Sequence, residues 1–217
     1  MTAQGETLGL LYVESRDAKL IEYRASLAAN FAERIALALA NLRLRESLRT
    51  QATRDPLTSL FNRRHMEETL ERELRRAIRH RGSVGVIMID VDHFRTINNT
   101  VGHGAGDAML QAMAHFFQLQ IRLEDIPCRY GGDEFVLIMP DSSLEDTYKR
   151  AEQLRLGIRQ VSVEHAGRKL GVVTISLGVA ACPDHGTTVE EMLLAADKAM
   201  FHAKEEGRDR AMIADKG

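Results

Sequence analysis

Arg129-Tyr130-Gly131-Gly132-Asp133-Glu134-Phe135 sets two adjacent carboxylates on a glycine-bearing turn between two apolar runs. Ile126 to Cys128 lie upstream, and Val136-Leu137-Ile138-Met139 downstream reads as a buried strand. Paired glycines between such runs predict strand, tight turn, strand, because hairpin turn positions need positive φ values that a Cβ resists. A purely structural hairpin has no use for two acids beside its turn. A backbone bare of side chains lets a ligand come close, so acids placed there point to metal and phosphate. A solvated hairpin tip is the plain alternative.

Val84-Gly85-Val86-Ile87-Met88-Ile89 is a nearly continuous apolar run, the pattern of a central strand covered on both faces, and it ends in Asp90-Val91-Asp92. Side chains two apart on a strand share a side, which groups Asp90 with Asp92. If the hairpin pairs with this strand, Asp133 and Glu134 arrive alongside them. Three or four converging carboxylates make an oxygen-ligand site for magnesium, which proteins hold through one or two carboxylates plus substrate phosphates. Without a cation, ionised acids in a partly buried cluster repel one another.

Around this centre the chain alternates strands and helices. Gly9 to Glu14 reads as a strand. A helix follows from about Leu20 to Gln51, free of Gly and Pro, with Leu27, Phe31, Ile35, Ala38 and Leu42 on one stripe and Leu37, Leu44 and Leu48 on a second seam. That surface is wider than one solvated helix needs and suits a partner, or the rest of its own domain. Asp55-Pro56-Leu57-Thr58 breaks the helix, since a residue before proline avoids the α conformation. Further helices are expected over about Asn62–His80, Asp107–Arg122, Leu144–Val161 and Val189–Glu205. Gly102 to Gly106 reads as a turn, and Ser142 with Glu145 as a capping box. Strands are expected over Val172–Ala181 and Ala211–Ala214. No internal repeat is present.

The 217 residues accommodate one full domain plus a fragment or long helix. With 29 basic against 31 acidic side chains, nothing favours a nucleic-acid partner. Cys128 and Cys182 lack CxxC spacing and sit in apolar runs, as buried thiols in a reducing, cytoplasmic compartment would. No apolar run reaches the roughly 18 residues of a membrane span, and no basic-then-apolar signal segment opens the chain.

Asp55-Pro56-Leu57-Thr58, Asn62-Arg63-Arg64, Asp90-Val91-Asp92-His93-Phe94, Gly102-His103-Gly104, Gly106-Asp107 and the Arg129–Phe135 stretch, in this order and spacing, resemble the GGDEF domains of diguanylate cyclases. The resemblance runs from about Asp55 to the C-terminus, giving a catalytic domain at 55–217. It follows a signalling or dimerisation helix at 20–54 and, at 1–19, a remnant similar to the end of a GAF sensor domain. It implies an α/β (α+β) fold, a palm-like nucleotidyl-cyclase sheet with flanking helices. It also implies a reaction, the condensation of two GTP molecules into cyclic di-GMP and two pyrophosphates, carried out by a homodimer. A domain that binds GTP or cyclic di-GMP without turnover is the alternative.

Carried over by position, the resemblance makes Asp90, the Val91 carbonyl, Asp133 and Glu134 the shell for Mg2+ or Mn2+, with Asp90, Asp133 and Glu134 catalytic. Asn98 and Asp107 match guanine-reading positions, and His103, Gly131 and Gly132 adjoin the nucleotide. An amide and a carboxylate suit the guanine edge, although Asn98 could equally cap a turn and Asp107 serve as an N-terminal helix charge. Arg95 stands where the family usually has Lys, keeping the charge with a bulkier, planar group. Lys204 and Arg208 match phosphate-binding positions, or balance a helix C-terminus. Arg122-Leu123-Glu124-Asp125 resembles the family's RxxD inhibitory site for product. An i, i+3 ion pair closing a helix would look the same. A second arginine present in some relatives aligns near Gln153.

Overall fold

The structure, a computed structural model, describes residues 2–3, 6–7, 12 and 18–215. It divides into two compact units, Met1–Ala52 and Thr53–Gly217. In the first, β1 (Thr2–Ala3) pairs antiparallel with β2 (Glu6–Thr7), and α1 (Ala18–Thr53) is one unbroken helix. The strand expected over Gly9–Glu14 lies, Tyr12 apart, outside the described residues. On α1, Leu27, Phe31, Ile35, Leu37, Leu42 and Leu44 are all exposed, with Phe31 at 56%. The side chain of Leu48 lies outside the described set.

The second unit opens with β3 (Phe61–Asn62), α2 (Arg63–His80), β4 (Val84–Val91), α3 (Phe94–Val101) and α4 (His103–Gln120). It continues through β5 (Ile126–Gly131), β6 (Glu134–Pro140), α5 (Leu144–Ile158), β7 (Glu164–His165), β8 (Arg168–Lys169), β9 (Ile175–Cys182), α6 (Val189–Glu205) and β10 (Ala211–Ile213). Six strands form one sheet in the order β10-β9-β4-β6-β5-β3. β4 lies inside it, antiparallel to both β6 and β9.

Strand period dictates the layers. Ile87, Ile89 and Val91 of β4 face a core built with Met109, Met113 and Phe117 of α4 and Leu154 of α5. Val84, Val86 and Met88 face another, built with Met66, Leu70 and Leu74 of α2 and Met192, Ala196 and Met200 of α6. The continuous apolar run of β4 thus reflects helices on both faces, although its pairing is antiparallel rather than parallel. Cys128 and Cys182 are free thiols, each buried.

Several boundaries differ from expectation. α3 was not anticipated, because Thr96, Asn98, Asn99 and Val101 are weak helix formers. α4 begins at His103, running through glycines that read as a turn. Packing explains them: an ideal Cβ on Gly106 would fall 2.0 Å from Asn98 Oδ1, and one on Gly104 3.0 Å from the His165 ring. α4 ends at Gln120, and α5 at Ile158. The cap of α5 is Ser143, whose hydroxyl accepts the Asp146 amide at 3.1 Å, whereas buried Ser142 donates to the Pro140 carbonyl. The β7–β8 hairpin was unforeseen, and β9 starts at Ile175 rather than Val172.

At Gly178 of β9 the sheet backbone lies close against α6. A Cβ there would lie 1.9 Å from the Ala196 carbonyl oxygen and 2.3 Å from the Met200 nitrogen of α6. Backbone atoms cannot swing aside as a side-chain tip can. Gly178→Ala is therefore expected to lower unfolding free energy by about 3 kcal/mol, read from urea denaturation. A variant as stable as the parent would show that α6 shifts freely on the sheet.

Candidate active site at the β4–β6 rim

The register of β4 on β6 places Asp90 directly opposite Glu134, and the neighbouring ladder places it opposite Ser176. The Val91 amide donates to the Asp133 carbonyl at 3.3 Å, fastening the turn to the end of β4. Of the paired glycines only Gly132 needs a positive φ, at 52°. Around both Gly131 and Gly132 an added Cβ would meet nothing within 4 Å, so the turn presents an open, bare backbone.

The two β4 acids separate in role. Asp90 is buried, and its Oδ2 pairs with Lys204 Nζ at 2.7 Å. Asp92 lies one residue past the strand, where it accepts the Ser176 hydroxyl at 2.7 Å and the Asp209 amide at 3.1 Å. Asp92 therefore fastens β9 and the segment after α6 to β4, and its oxygens are taken. Burial raises the Asp90 carboxyl to about 6, with Asp133 and Glu134 adding and Lys204 opposing. Glu134 is raised as well, chiefly by burial, against the pull of Lys204.

Among the described residues, no three His, Cys, Asp or Glu side chains are grouped closely enough to hold a metal unaided. The donors present are hard oxygens, two facing carboxylates and an acid on the turn. That set fits a magnesium-type ion completed by phosphate oxygens. A cleft of about 290 Å³ adjoins them, lined by Glu134, Asp197, Lys198, Phe201 and Lys204. A wider cleft of about 900 Å³ between α2 and α6 is bordered by Glu67, Glu68, Glu71 and Glu190. Arg63 and Arg75 line it too, paired with Glu67 and Glu71, and it lacks Asp90, Asp133 and Glu134.

Asn98 sits inside α3, where it caps nothing; its Oδ1 is buried without a hydrogen-bond partner in the described structure. Asp107 is exposed in the second turn of α4, beyond the reach of a simple N-terminal charge effect. Arg95 is exposed in the first turn of α3, whose N-cap His93 makes no side-chain capping bond. His103 is exposed at the start of α4. Lys204 lies in the last turn of α6, but Arg208 falls past the helix, exposed and at φ 64°, so the pair is not one helical turn apart.

Away from this rim, Arg122 and Asp125 form a turn after α4 rather than closing the helix. Asp125 Oδ2 accepts the Arg122 amide at 3.0 Å, and no ion pair joins the two side chains. Sequence reasoning missed a brace built from two motif residues. Asp55 accepts the Thr58 amide and hydroxyl and, at 3.1 Å from each oxygen, Arg129 Nη1. Arg129 in turn donates from Nε and Nη2 to the Gly132 carbonyl at 3.1 and 2.8 Å. Burial pushes the Asp55 carboxyl up, but the Thr58 and Arg129 hydrogen bonds outweigh it and hold the group below its usual range. An acid and a guanidinium in separate motifs, each beside a turn, were the signal available.

Residues 52–210 match the family model described as diguanylate cyclase, GGDEF domain. The chain belongs to this GGDEF family. It is 42% identical over 160 residues to the response regulator PleD of Caulobacter vibrioides, covering 73% of this chain and 35% of that protein. It is 37% identical over 169 residues to the diguanylate cyclase DgcP of Pseudomonas aeruginosa, covering 78% and 25%. The chain thus spans about a third or less of the length of these two relatives. Among solved structures it resembles the coiled coil and GGDEF domain of Caulobacter crescentus DgcB in complex with c-di-GMP. That match has a TM-score of 0.78 and 28% identity, over 87% of this chain and 100% of that one. The GGDEF domain of Pseudomonas aeruginosa YfiN matches with a TM-score of 0.71 and 35% identity, over 75% and 94%. The helix-flanked sheet anticipated from the motifs is the GGDEF fold.

The raised Asp90 carboxyl has a signed consequence. A folded-state pKa above the unfolded one means that the native GGDEF domain holds the extra proton between about pH 4 and 6. Its stabilising contribution is complete below that window and is lost as the pH rises through 6. In chelator, wild type should lose stability relative to Asp90→Asn across the window, with the gap widest above pH 7. Denaturant titrations at low, middle and high pH would measure it. Parallel profiles for the two proteins would show that Asp90 carries no such penalty.

Proposed function

We propose that this GGDEF domain condenses two GTP molecules into cyclic di-GMP, releasing two pyrophosphates. The observation that carries the reading is the placement of Asp90 opposite Glu134, with Asp133 on a turn whose bare glycines leave room for a nucleotide. Asp90, Asp133, Glu134 and the Val91 carbonyl would hold Mg2+ or Mn2+. When bound, such an ion lowers the pKa of the attacking 3′-hydroxyl and offsets charge on the α-phosphate and leaving pyrophosphate.

The protein's own groups position the substrate. Lys204, which pairs with Asp90 and lines the cleft, would contact the phosphates, with Arg95 in the first turn of α3 as a second cation for them. Arg208, exposed just past the end of α6, would add a third cation for the phosphates. Asn98 brings a buried amide oxygen without a donor, and guanine has donors at N1 and its exocyclic amine for that oxygen and for the Asp107 carboxylate. His103, one helical turn before Asp107 on α4, would adjoin the same base. Arg122 and Asp125 are read as the product-inhibition site. A guanidinium can donate twice to guanine O6 and N7 while a carboxylate holds the amine edge.

One domain presents one GTP, so two copies must meet. The exposed apolar stripe of α1 supports pairing through that helix, which raises the effective concentration of one half-site for the other. The absence among described residues of any helix long and apolar enough to cross a membrane accords with a cytoplasmic location, where GTP is available.

Incubation with GTP and magnesium, followed by chromatography, tests the reaction. Asp133→Ala and Glu134→Ala should each lower cyclic di-GMP production by roughly 100-fold or more while melting like wild type. GTP or cyclic di-GMP binding without any product from the wild-type protein would favour a non-catalytic binding module.

Pairing has its own test. Phe31→Glu combined with Ile35→Glu is expected to yield a monomer by sedimentation, with low specific activity that climbs as enzyme concentration rises. Wild-type turnover, independent of concentration, from a confirmed monomer would remove α1 from the assembly.

A further inference from the structure

The segment that follows α6 runs through left-handed backbone. Gly207, Arg208 and Asp209 have φ values of 110°, 64° and 46°. Glycine adopts this region freely, but two successive residues that carry a Cβ stay there only where surrounding contacts hold them. Arg208 is exposed, and its guanidinium makes no hydrogen bond or ion pair among the described residues. Whatever fixes the backbone beside it therefore fixes where that guanidinium can reach.

The contacts that hold this backbone converge on Asp209. Its amide donates to Asp92 Oδ2 at 3.1 Å, which ties it to the end of β4. α5 supplies the remainder. Arg155 Nη1 donates to the Asp209 carbonyl and to its Oδ1, at 3.3 Å each, and Arg159 Nη1, one helical turn further along, lies 3.3 Å from Oδ2. Because Nη1 engages the main-chain carbonyl as well as the carboxylate, it restrains the chain and not only the side chain. Arg155 is itself oriented: Nε and Nη2 donate to the two oxygens of Glu152 at 2.9 Å each. A planar guanidinium fixed along one edge presents its third nitrogen in one direction. Arg155 and Asp209 are both half-buried, so salt screens this pair less than an exposed one.

We propose that Arg155 and Arg159 are positioning residues for substrate, holding Asp209 so that the neighbouring Arg208 is aimed at the outer phosphates of GTP. This rests on the reading of Arg208 as a phosphate-binding cation. Neither α5 arginine touches the nucleotide in this account; they act through the backbone of the next residue. A guanidinium carried on a pre-set backbone loses less freedom when the phosphate arrives, which favours affinity.

Titration calorimetry in magnesium tests this with two ligands: a GTP analogue with methylene in place of the α–β bridging oxygen, which cannot be condensed, and GMP, which lacks the outer phosphates. The proteins are the purified chain, Arg208→Ala, Arg155→Ala, Arg155→Lys and the Arg155→Ala, Arg208→Ala double variant, each checked by thermal melting. Arg208→Ala should raise Kd for the analogue about tenfold. Arg155→Ala should raise it about fivefold, with GMP affinity unchanged in both. Once Arg208 is gone, removing Arg155 should weaken the analogue no further, because the two act as one unit. If Arg155→Ala does not fold, Arg155→Lys decides, since it keeps the charge but cannot bridge Glu152 and Asp209: a raised analogue Kd with an unchanged melting temperature supports the proposal. Wild-type analogue affinity in a folded Arg155 variant, where Arg208→Ala has lost affinity, overturns it. So does an Arg155→Ala loss that is equal for GMP, or one that adds in full to that of Arg208→Ala. If wild type binds neither ligand, or Arg208→Ala binds the analogue as wild type does, the reading of Arg208 as a phosphate cation falls, and this proposal with it.

Discussion

The antiparallel ladder between β4 and β6 is the constraint from which the rest of the site follows. It sets Asp90 across from Glu134 and brings the Asp133 carbonyl to the Val91 amide. A one-residue slip would turn Asp90 to the opposite face of the sheet and scatter the acids. The register is held because both faces are buried: Ile87 and Ile89 belong to one core, Val86 and Met88 to the other. Apolar burial on two sides therefore fixes the position of charged groups at the rim.

Holding acids there has a cost, and the fold distributes it unequally. Asp92 has two donors and serves as a clasp between β4, β9 and the segment after α6. Asp90 keeps one cationic partner, Lys204, and remains penalised by burial. Two identical residues, two positions apart, thereby acquire different chemistry, one spent on structure and one left available. The hairpin is treated similarly. Its turn is open to solvent on the glycine side, yet Arg129 grips the Gly132 carbonyl and is itself gripped by Asp55. A bare turn that could otherwise wander is fixed from behind.

Much of this was legible in the sequence because the deciding signals are local. Apolar runs marked β4 and β6, and the glycine-acid turn marked the hairpin between β5 and β6. What escaped depends on contacts between distant segments. α3 and the first turn of α4 contradict their own propensities, and are stabilised by Asn98 against Gly106 and by His165 against Gly104. No window of sequence contains those pairs. Asp90 and Asp92 looked equivalent from spacing alone; only the partners at Ser176 and Asp209 separate them. The ionic closure imagined for Arg122 and Asp125 failed because α4 stops at Gln120, leaving the carboxylate to cap a backbone amide instead.

The placement of β5 gives these parts a common logic. Asp125 immediately precedes this strand, and Gly131, at the lip of the glycine turn, ends it. Six residues of extended chain span roughly 20 Å, so the two proposed nucleotide sites lie at opposite ends of one strand. A molecule held at Arg122 and Asp125 would not overlap substrate at Asp133, so inhibition there would not work by displacement. β5 is pinned by β6 on one side and β3 on the other, and the irregular step between Arg129 and Gly131 interrupts its ladder near the glycine turn. That is also where the Asp55 brace attaches. The pinned portion of the strand sets the distance between the two proposed sites, and the interrupted portion, with its arginine clamp, is where the position of the glycine turn is decided.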